Sequence, residues 1–271
     1  MDIGASSACF YPLETEKSFL RIAELGFSCS EIFFNSSGEL NSSFIRELKQ
    51  IKDAYGTQVV SLHPYRSFSE GYDFFSCYKR RFSDALEGYK RYFDAAGVLG
   101  AKYIVMHGAK GKADICNEEY AERFGILSEL AESYGCYVAH ENVVNFVSQS
   151  VEFMSFMKNT LGDKFKMVLD VKQATRTGID PEEFIDAVGE NIVHVHLSDF
   201  NCVKDCVAPS QKGGRDFEKL FRQLENVGYK GKYIIELYSD GYENSEEIIQ
   251  SARYLEAVLD KVRQDGSRLS L

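Results

Sequence analysis

The sequence predicts an α/β fold, a closed (β/α)8 barrel, and three observations carry that expectation. Eight short apolar runs recur along the chain, and a longer amphipathic stretch follows each one. The 271 residues hold no Pro-, Gly- or Ser-rich linker that would divide them. Short buried strands alternating with helices imply a parallel sheet covered by helices. Eight such units, each of about 25–45 residues, suit a closed barrel. A doubly wound open sheet is the rival, but no G-x-G-x-x-G follows the first strand. A single domain over residues 1–271 is expected, with 264–271 as a frayed C-terminal tail.

The first apolar segment is Ile3–Phe10. The helix after it, Glu14–Leu25, places Phe19, Ile22 and Ala23 on one face and stops at Gly26. CSEIFF (Cys29–Phe34) is the second strand, and SSFIRELKQIKDAY the second helix, closed by Gly56. QVVSLH (Gln58–His63) is the third strand, broken by Pro64, with one long helical region expected from about Phe75 to Leu99. KYIVMHG (Lys102–Gly108) is the fourth strand, followed by the amphipathic stretch Glu118–Tyr134 and its stop, Gly135. CYVAHEN (Cys136–Asn142) and FKMVLD (Phe165–Asp170) are the fifth and sixth strands, with the helix Ser148–Thr160 between them. Pro181–Val188 opens on a proline, which suits the first turn of a helix. The seventh strand is IVHVHL, running into the polar loop Ser198–Asn201. A helix at Asp216–Val227, the strand YIIELY (Tyr233–Tyr238) and a helix at Ser245–Val262 complete the order.

A formal charge of −10 and a pI near 5.1 argue against unassisted binding to a polyanion. No apolar run approaches the roughly 20 residues needed to cross a bilayer. The start, MDIGASSACFYP, shows neither a basic leader nor a long apolar stretch. Seven cysteines without a framework fit reduced thiols, so a cytoplasmic location is expected. Cys202 and Cys206, the closest pair, read as ordinary loop residues.

Acidic and imidazole side chains lie at or near the end of strand after strand: Glu31, His63, His107, His140 with Glu141, Asp170, His194 with His196, and Glu236. All five histidines belong to this set. In a parallel barrel such residues gather at the C-terminal mouth. Buried carboxylates must be paired, protonated or coordinated, and Lys172 is the main basic candidate to pair them. Glu141, Asp170, His196 and Glu236 come from four consecutive strands and would surround one point. Three oxygen donors and one imidazole suit a single divalent ion, Mn²⁺, Mg²⁺, Co²⁺ or Zn²⁺, with positions left open for substrate. His194 shares a face with His196 one layer deeper and reads as a hydrogen-bonded core or supporting residue. His140 should point away from Glu141, towards the surrounding helices. His63 and His107 are either substrate contacts or ligands of a second metal.

The pieces GFSCSEI, VVSLHPY, YIVMHG, AHEN, LDVKQATRTG, HVHLSDFN and GYKGKYIIEL, in this order and spacing, resemble the xylose isomerase-like TIM-barrel superfamily in its sugar phosphate isomerase/epimerase branch. GGRDFEKLFRQLENVGYKG resembles the family's link between strands seven and eight. The resemblance covers essentially the whole chain. It implies one divalent cation on Glu141, Asp170, His196 and Glu236, with Glu141 and Glu236 also acting as the catalytic acid/base pair. A keto-sugar, its phosphate or an inosose would lose a proton beside its carbonyl and pass through a metal-stabilised enediolate. Proton return gives an epimer or an isomer, and loss of a β-hydroxyl makes the chain a dehydratase. The substrate contacts expected are His63, His107, Gln173, Lys172 and Glu31.

Two departures stand out. Gln173 fills the place where the family often has a substrate-touching histidine. Val147 and Cys202 fill places where ketose 3-epimerases tend to have glutamate and arginine. Lys172, Arg176 and Arg215 could meet a phosphate or carboxylate, with Arg176 and Arg215 otherwise reading as solvated surface residues. An endonuclease IV-like abasic-site nuclease would use His63, His107, Glu141, Asp170, His196 and Glu236 as zinc ligands. Here, however, the Asp-x-His of its third zinc is missing from 203–214. A non-catalytic sugar-binding barrel is the third class. The partner expected is a small carbohydrate, with no nucleic acid or membrane, and the assembly a homodimer or homotetramer.

Overall fold

The computed structural model of the protein describes residues 2–269. Eight parallel strands close into a barrel in sequence order. They are β1 (Ile3–Ser6), β2 (Cys29–Phe33), β3 (Gln58–His63), β4 (Tyr103–Met106), β5 (Tyr137–Glu141), β6 (Met167–Asp170), β7 (Ile192–Leu197) and β8 (Tyr233–Ile235). β1 pairs with both β2 and β8, so the ring has no open edge. Around it lie α1 (Thr15–Glu24), α2 (Ser42–Tyr55), α3 (Ser67–Phe74), α4 (Lys79–Leu99) and α5 (Asn117–Ser133). The ring of helices continues with α6 (Val151–Leu161), α7 (Val171–Thr177), α8 (Pro181–Val188), α9 (Phe217–Asn226) and α10 (Ser245–Leu269). The expected (β/α)8 barrel is the observed fold.

The main core lies between strands and helices, where Phe19, Phe93, Phe124, Phe184 and Phe217 are fully buried. Inside the ring, small apolar clusters contain Cys29 with Ile234, and Val105 with Ala139 and Val168. Each of these five residues lies two positions before Glu31, Glu236, His107, Glu141 or Asp170, and so shares its inward face. The apolar layer is thus the floor on which the polar mouth stands.

Local signals set many of the boundaries. The Asn41 side chain accepts from Ser43 N and Phe44 N at the start of α2, and Gly56 ends it at φ 70°. Asp180 and Glu183 form a capping box around Pro181 at the start of α8.

Three expectations about elements need correction. The helix expected from Phe75 to Leu99 begins only at Lys79, as α4, and a separate helix, α3, precedes it with 75–78 between them. The buried guanidinium of Arg123 donates to Phe74 O at 2.7 Å and Ser76 O at 2.8 Å, capturing carbonyls that would otherwise continue the helix. Phe75 stacks on Tyr120 at 3.5 Å between ring centres. The segment 264–269 is helical rather than frayed, because Arg263 is tied to Glu225 at 2.9 Å and to Asp2 at 2.6 Å. Residues 270–271 of the expected tail lie outside the described residues. Finally, β8 ends at Ile235, and residues 236–238 turn out of the sheet to line the barrel mouth.

His140 points outward, as expected, into the aromatic layer of Tyr120, Phe124 and Phe153, and its Nε2 lies 2.8 Å from Tyr120 Oη. Burial drives its pKa down to about 4, against an ordinary 6.5. The unfolded chain therefore binds a proton at this site between those values while the folded chain does not. The resulting stabilisation is present above pH 6.5 and is lost as pH falls towards 4, by up to about 3 kcal/mol. Urea unfolding of the parent protein should accordingly fall off more steeply from pH 7 to pH 4.5 than that of His140→Gln. Parallel pH profiles of the two would show that the proton is taken up elsewhere.

Candidate active site

The strand ends bring together the four residues expected to hold a metal. Glu141, Asp170, His196 and Glu236 each offer a ligand atom, and these atoms lie within 4.8 Å of one another. His196 Nδ1 is 3.6 Å from Glu141 Oε1, 3.7 Å from Glu236 Oε2 and 3.9 Å from Asp170 Oδ2. Glu141 Oε2, Asp170 Oδ2 and His196 Nδ1 are buried without a well-aligned hydrogen bond. Buried polar atoms are almost always satisfied, and here Glu141 Oε2 has His107 Nε2 at 2.7 Å and Asp170 Oδ2 has Lys172 Nζ at 3.3 Å, while three carboxylates still converge on one imidazole nitrogen. The residues fit a divalent cation.

Glu31 explains the aim of His196. Its carboxylate is fully buried and accepts from His196 Nε2 at 3.0 Å, His194 Nε2 at 3.1 Å and Ser61 Oγ at 2.7 Å. With Nε2–H committed to Glu31, Nδ1 is the nitrogen that faces the three carboxylates, and on giving up its proton it could ligate an ion. Burial opposes the charge on Glu31, but His196 and His194 outweigh it and hold the carboxyl well below its usual range. His194 thus has the deeper supporting place expected of it. The expected substrate contact at Glu31 is corrected: its side chain lies behind His196, away from the cavity.

Asp170 has two tasks. Its Oδ1 accepts from Lys172 N at 2.7 Å and Gln173 N at 3.0 Å, capping α7, while Oδ2 faces the site. The short helix α7 was not foreseen, and it is what brings Lys172 and Gln173 to the mouth. Asn142 locks the same strand end, donating to Asp170 O at 3.0 Å and accepting from Asp170 N at 2.8 Å. Burial, with Glu141 and Glu236 beside it, pushes Asp170 up to about 7 despite the lysine.

Above this layer is a cavity of about 310 Å³, lined among others by His63, His107, Lys172, Gln173 and Tyr238. His63 Nε2 and His107 Nε2 are 3.1 Å apart and lie 3.5 and 2.7 Å from Glu141 Oε2. These three side chains form a second cluster with metal-ligand spacing. Residues that the sequence did not single out hold this side. Glu70 accepts from His107 N and Gly108 N, both at 2.8 Å, and from Tyr89 Oη at 2.7 Å. Gly108 stands at φ 81°, where a Cβ would meet Tyr120 Oη at 2.1 Å. Phe33 packs on His63 at 4.5 Å between ring centres.

Arg176 and Arg215 are engaged by protein groups. Arg176 makes a bidentate pair with Asp205 at 2.7 and 2.9 Å, and Arg215 donates to Val171 O at 3.2 Å and to Thr175 Oγ1. A wider groove of about 740 Å³ lies between the β7–α9 loop and α10, but no cluster of metal-ligating side chains opens into it among the described residues. No helix among the described residues is long and apolar enough to cross a membrane.

A closed eight-strand barrel with acidic and imidazole side chains converging at its C-terminal mouth is the arrangement in which (β/α)8 enzymes place their sites. The sequence profile of the xylose isomerase-like TIM barrel matches residues 19–258, and the chain belongs to that family. It is similar to an uncharacterized protein of Methanocaldococcus jannaschii, 26% identical over 97% of this chain and 92% of the relative. It is also similar to a 3-dehydroshikimate dehydratase of Pseudomonas aeruginosa, 24% identical over 91% of this chain but only 40% of the longer relative. Among solved structures, a D-tagatose 3-epimerase-like protein superposes with a TM-score of 0.77 at 22% identity, covering 98% of this chain and 99% of the other.

Removing the support behind a ligating histidine typically costs 10–100-fold in metal affinity. Titration calorimetry of Glu31→Gln with Mn²⁺ should show a loss of about that size, since the neutral amide lacks the charge with which the carboxylate holds the two imidazoles. An unchanged affinity would mean that His196 needs no such holder.

Proposed function

We propose that this protein is a divalent-metal-dependent isomerase or epimerase of a small keto-carbohydrate, a sugar, sugar phosphate or inosose, working by proton transfer beside a carbonyl. The observation that carries this reading is the meeting of Glu141 and Glu236 with Asp170 and His196 at one point. A divalent ion bound there would acidify a C–H next to a carbonyl and stabilise the charge that develops on proton loss. The chain's own residues supply the rest. Glu141 ends β5 and Glu236 follows directly on β8, three strands further around the ring, so each can address a different face of a substrate bound between them. One takes the proton as a carboxylate, and the other returns it from the opposite side.

Burial opposes charge on both glutamates. His107, His196 and His63 nevertheless hold Glu141 well below the usual carboxylate range, and Lys172 with His196 lowers Glu236. Both are therefore unprotonated and ready to accept. His63, with Nδ1 3.1 Å from Pro64 O, presents Nε2 to the cavity, where it and His107 can meet substrate oxygens. Gln173 is anchored by its Oε1, which accepts from Val144 N at 3.2 Å. The cavity size lies at the lower end of the ~300–1,000 Å³ usual for small-molecule sites, which favours one sugar-sized ligand. Dehydration of a keto-polyol is the second reading, favoured by the similarity to a 3-dehydroshikimate dehydratase along 91% of this chain. It begins with the same proton abstraction.

Incubation of the Mn²⁺-loaded protein in D₂O with ketoses, inososes and their phosphates should place deuterium on a carbon next to the carbonyl of a substrate, read by NMR. Glu141→Gln and Glu236→Gln should each slow that exchange by about 10²–10⁴-fold. Exchange with no substrate in a broad panel would count against proton transfer, and full activity in either variant would remove that glutamate from the pair.

A further inference from the structure

Lys172 is an unusual neighbour for a metal site. Its ammonium is buried and lies 2.7 Å from Glu236 Oε2 and 3.3 Å from Asp170 Oδ2. The same two oxygens face His196 Nδ1, at 3.7 and 3.9 Å. The ammonium and a divalent ion would therefore draw on the same pair of carboxylate oxygens. The position is a built one: the backbone N–H of Lys172 is fixed by Asp170 Oδ1, and the ring of Tyr238 lies 4.9 Å from Nζ on the cavity side. With a divalent ion among them, the three carboxylates Glu141, Asp170 and Glu236 would all be ionised and carry three negative charges at this layer. A divalent ion and one ammonium balance them; a divalent ion alone leaves one negative charge over.

We propose that Lys172 is a resident counter-cation of the metal site, holding Glu236 and Asp170 in place before the divalent ion enters, remaining beside it afterwards, and limiting how tightly it is held. This rests on the reading that the four ligands bind a divalent ion, and it assigns the lysine a role different from substrate contact. Two cations sharing carboxylates in a low-dielectric site repel each other, so loss of the lysine charge strengthens divalent binding even though it removes a native ion pair. A residue needed only to keep the fold would do the reverse.

Metal-stripped parent protein, Lys172→Met, Lys172→Gln and Lys172→Arg would be titrated with Mn²⁺ by calorimetry, with melting temperatures recorded with and without Mn²⁺. The neutral variants should bind Mn²⁺ about tenfold or more tightly than the parent, and Lys172→Arg should stay close to it. The neutral variants should also melt lower without the ion and gain more from it. A neutral variant that folds only when Mn²⁺ is supplied supports the same role. Affinity that is unchanged or weaker in both neutral variants, with normal binding in the parent, overturns the counter-cation and leaves the metal site standing. Binding in neither parent nor neutral variants overturns both.

Discussion

The constraint on which the site depends is the burial of four carboxylates, Glu31, Glu141, Asp170 and Glu236, at one end of a narrow barrel. Each would be costly there alone. The surrounding chemistry is a set of answers to that cost. Glu31 is satisfied by two imidazoles and two serine hydroxyls. Asp170 spends one oxygen on the first turn of α7, and Glu236 leans on Lys172. The acidic and imidazole atoms that converge there form the group with metal-ligand spacing at the mouth.

Rigid support of this kind is also a division of labour along each strand. Apolar side chains two positions earlier pack the interior, and the polar ones that follow are delivered to the mouth by the same backbone. Helices α3 and α7 then act from outside the ring, Glu70 by gripping the turn after β4 and α7 by carrying Lys172 and Gln173 inward. Several groups that wall the cavity, His107, Lys172 and Gln173 among them, are thereby fixed through their backbone N–H groups.

Much of this was legible in the order of residues. Strand ends such as VVSLH, AHEN and MVLD pair an apolar run with a terminal acid or imidazole, and parallel topology alone then forces those ends together. The outward turn of His140 followed from its being one residue before Glu141. The less visible parts depend on contacts distant in sequence. Nothing in the surroundings of Glu70 announces that it will meet His107 N, and nothing local tells Glu31 that its hydrogens come from β7. The late start of α4 is hidden because Arg123, which holds the carbonyls of Phe74 and Ser76, lies on another helix. The helix α7 was missed for a different reason: a seven-residue element begun by a site residue reads as loop when that aspartate is considered only for the ion it could bind.

The last helix has a structural consequence beyond its own length. Glu256 on α10 accepts from Asp2 N at 2.6 Å and Ile3 N at 2.9 Å, and Arg263 reaches Asp2 again at 2.6 Å. These contacts seize the first residues of β1 beside the seam where the ring shuts against β8, and β8 leads directly to Glu236. The two termini are thereby latched together, so the distance across the mouth between the earliest and the final strand is governed from the opposite end of the cylinder. Loss of the contacts made by Glu256 and Arg263 would loosen a joint in the frame of the barrel mouth rather than trim an appendage.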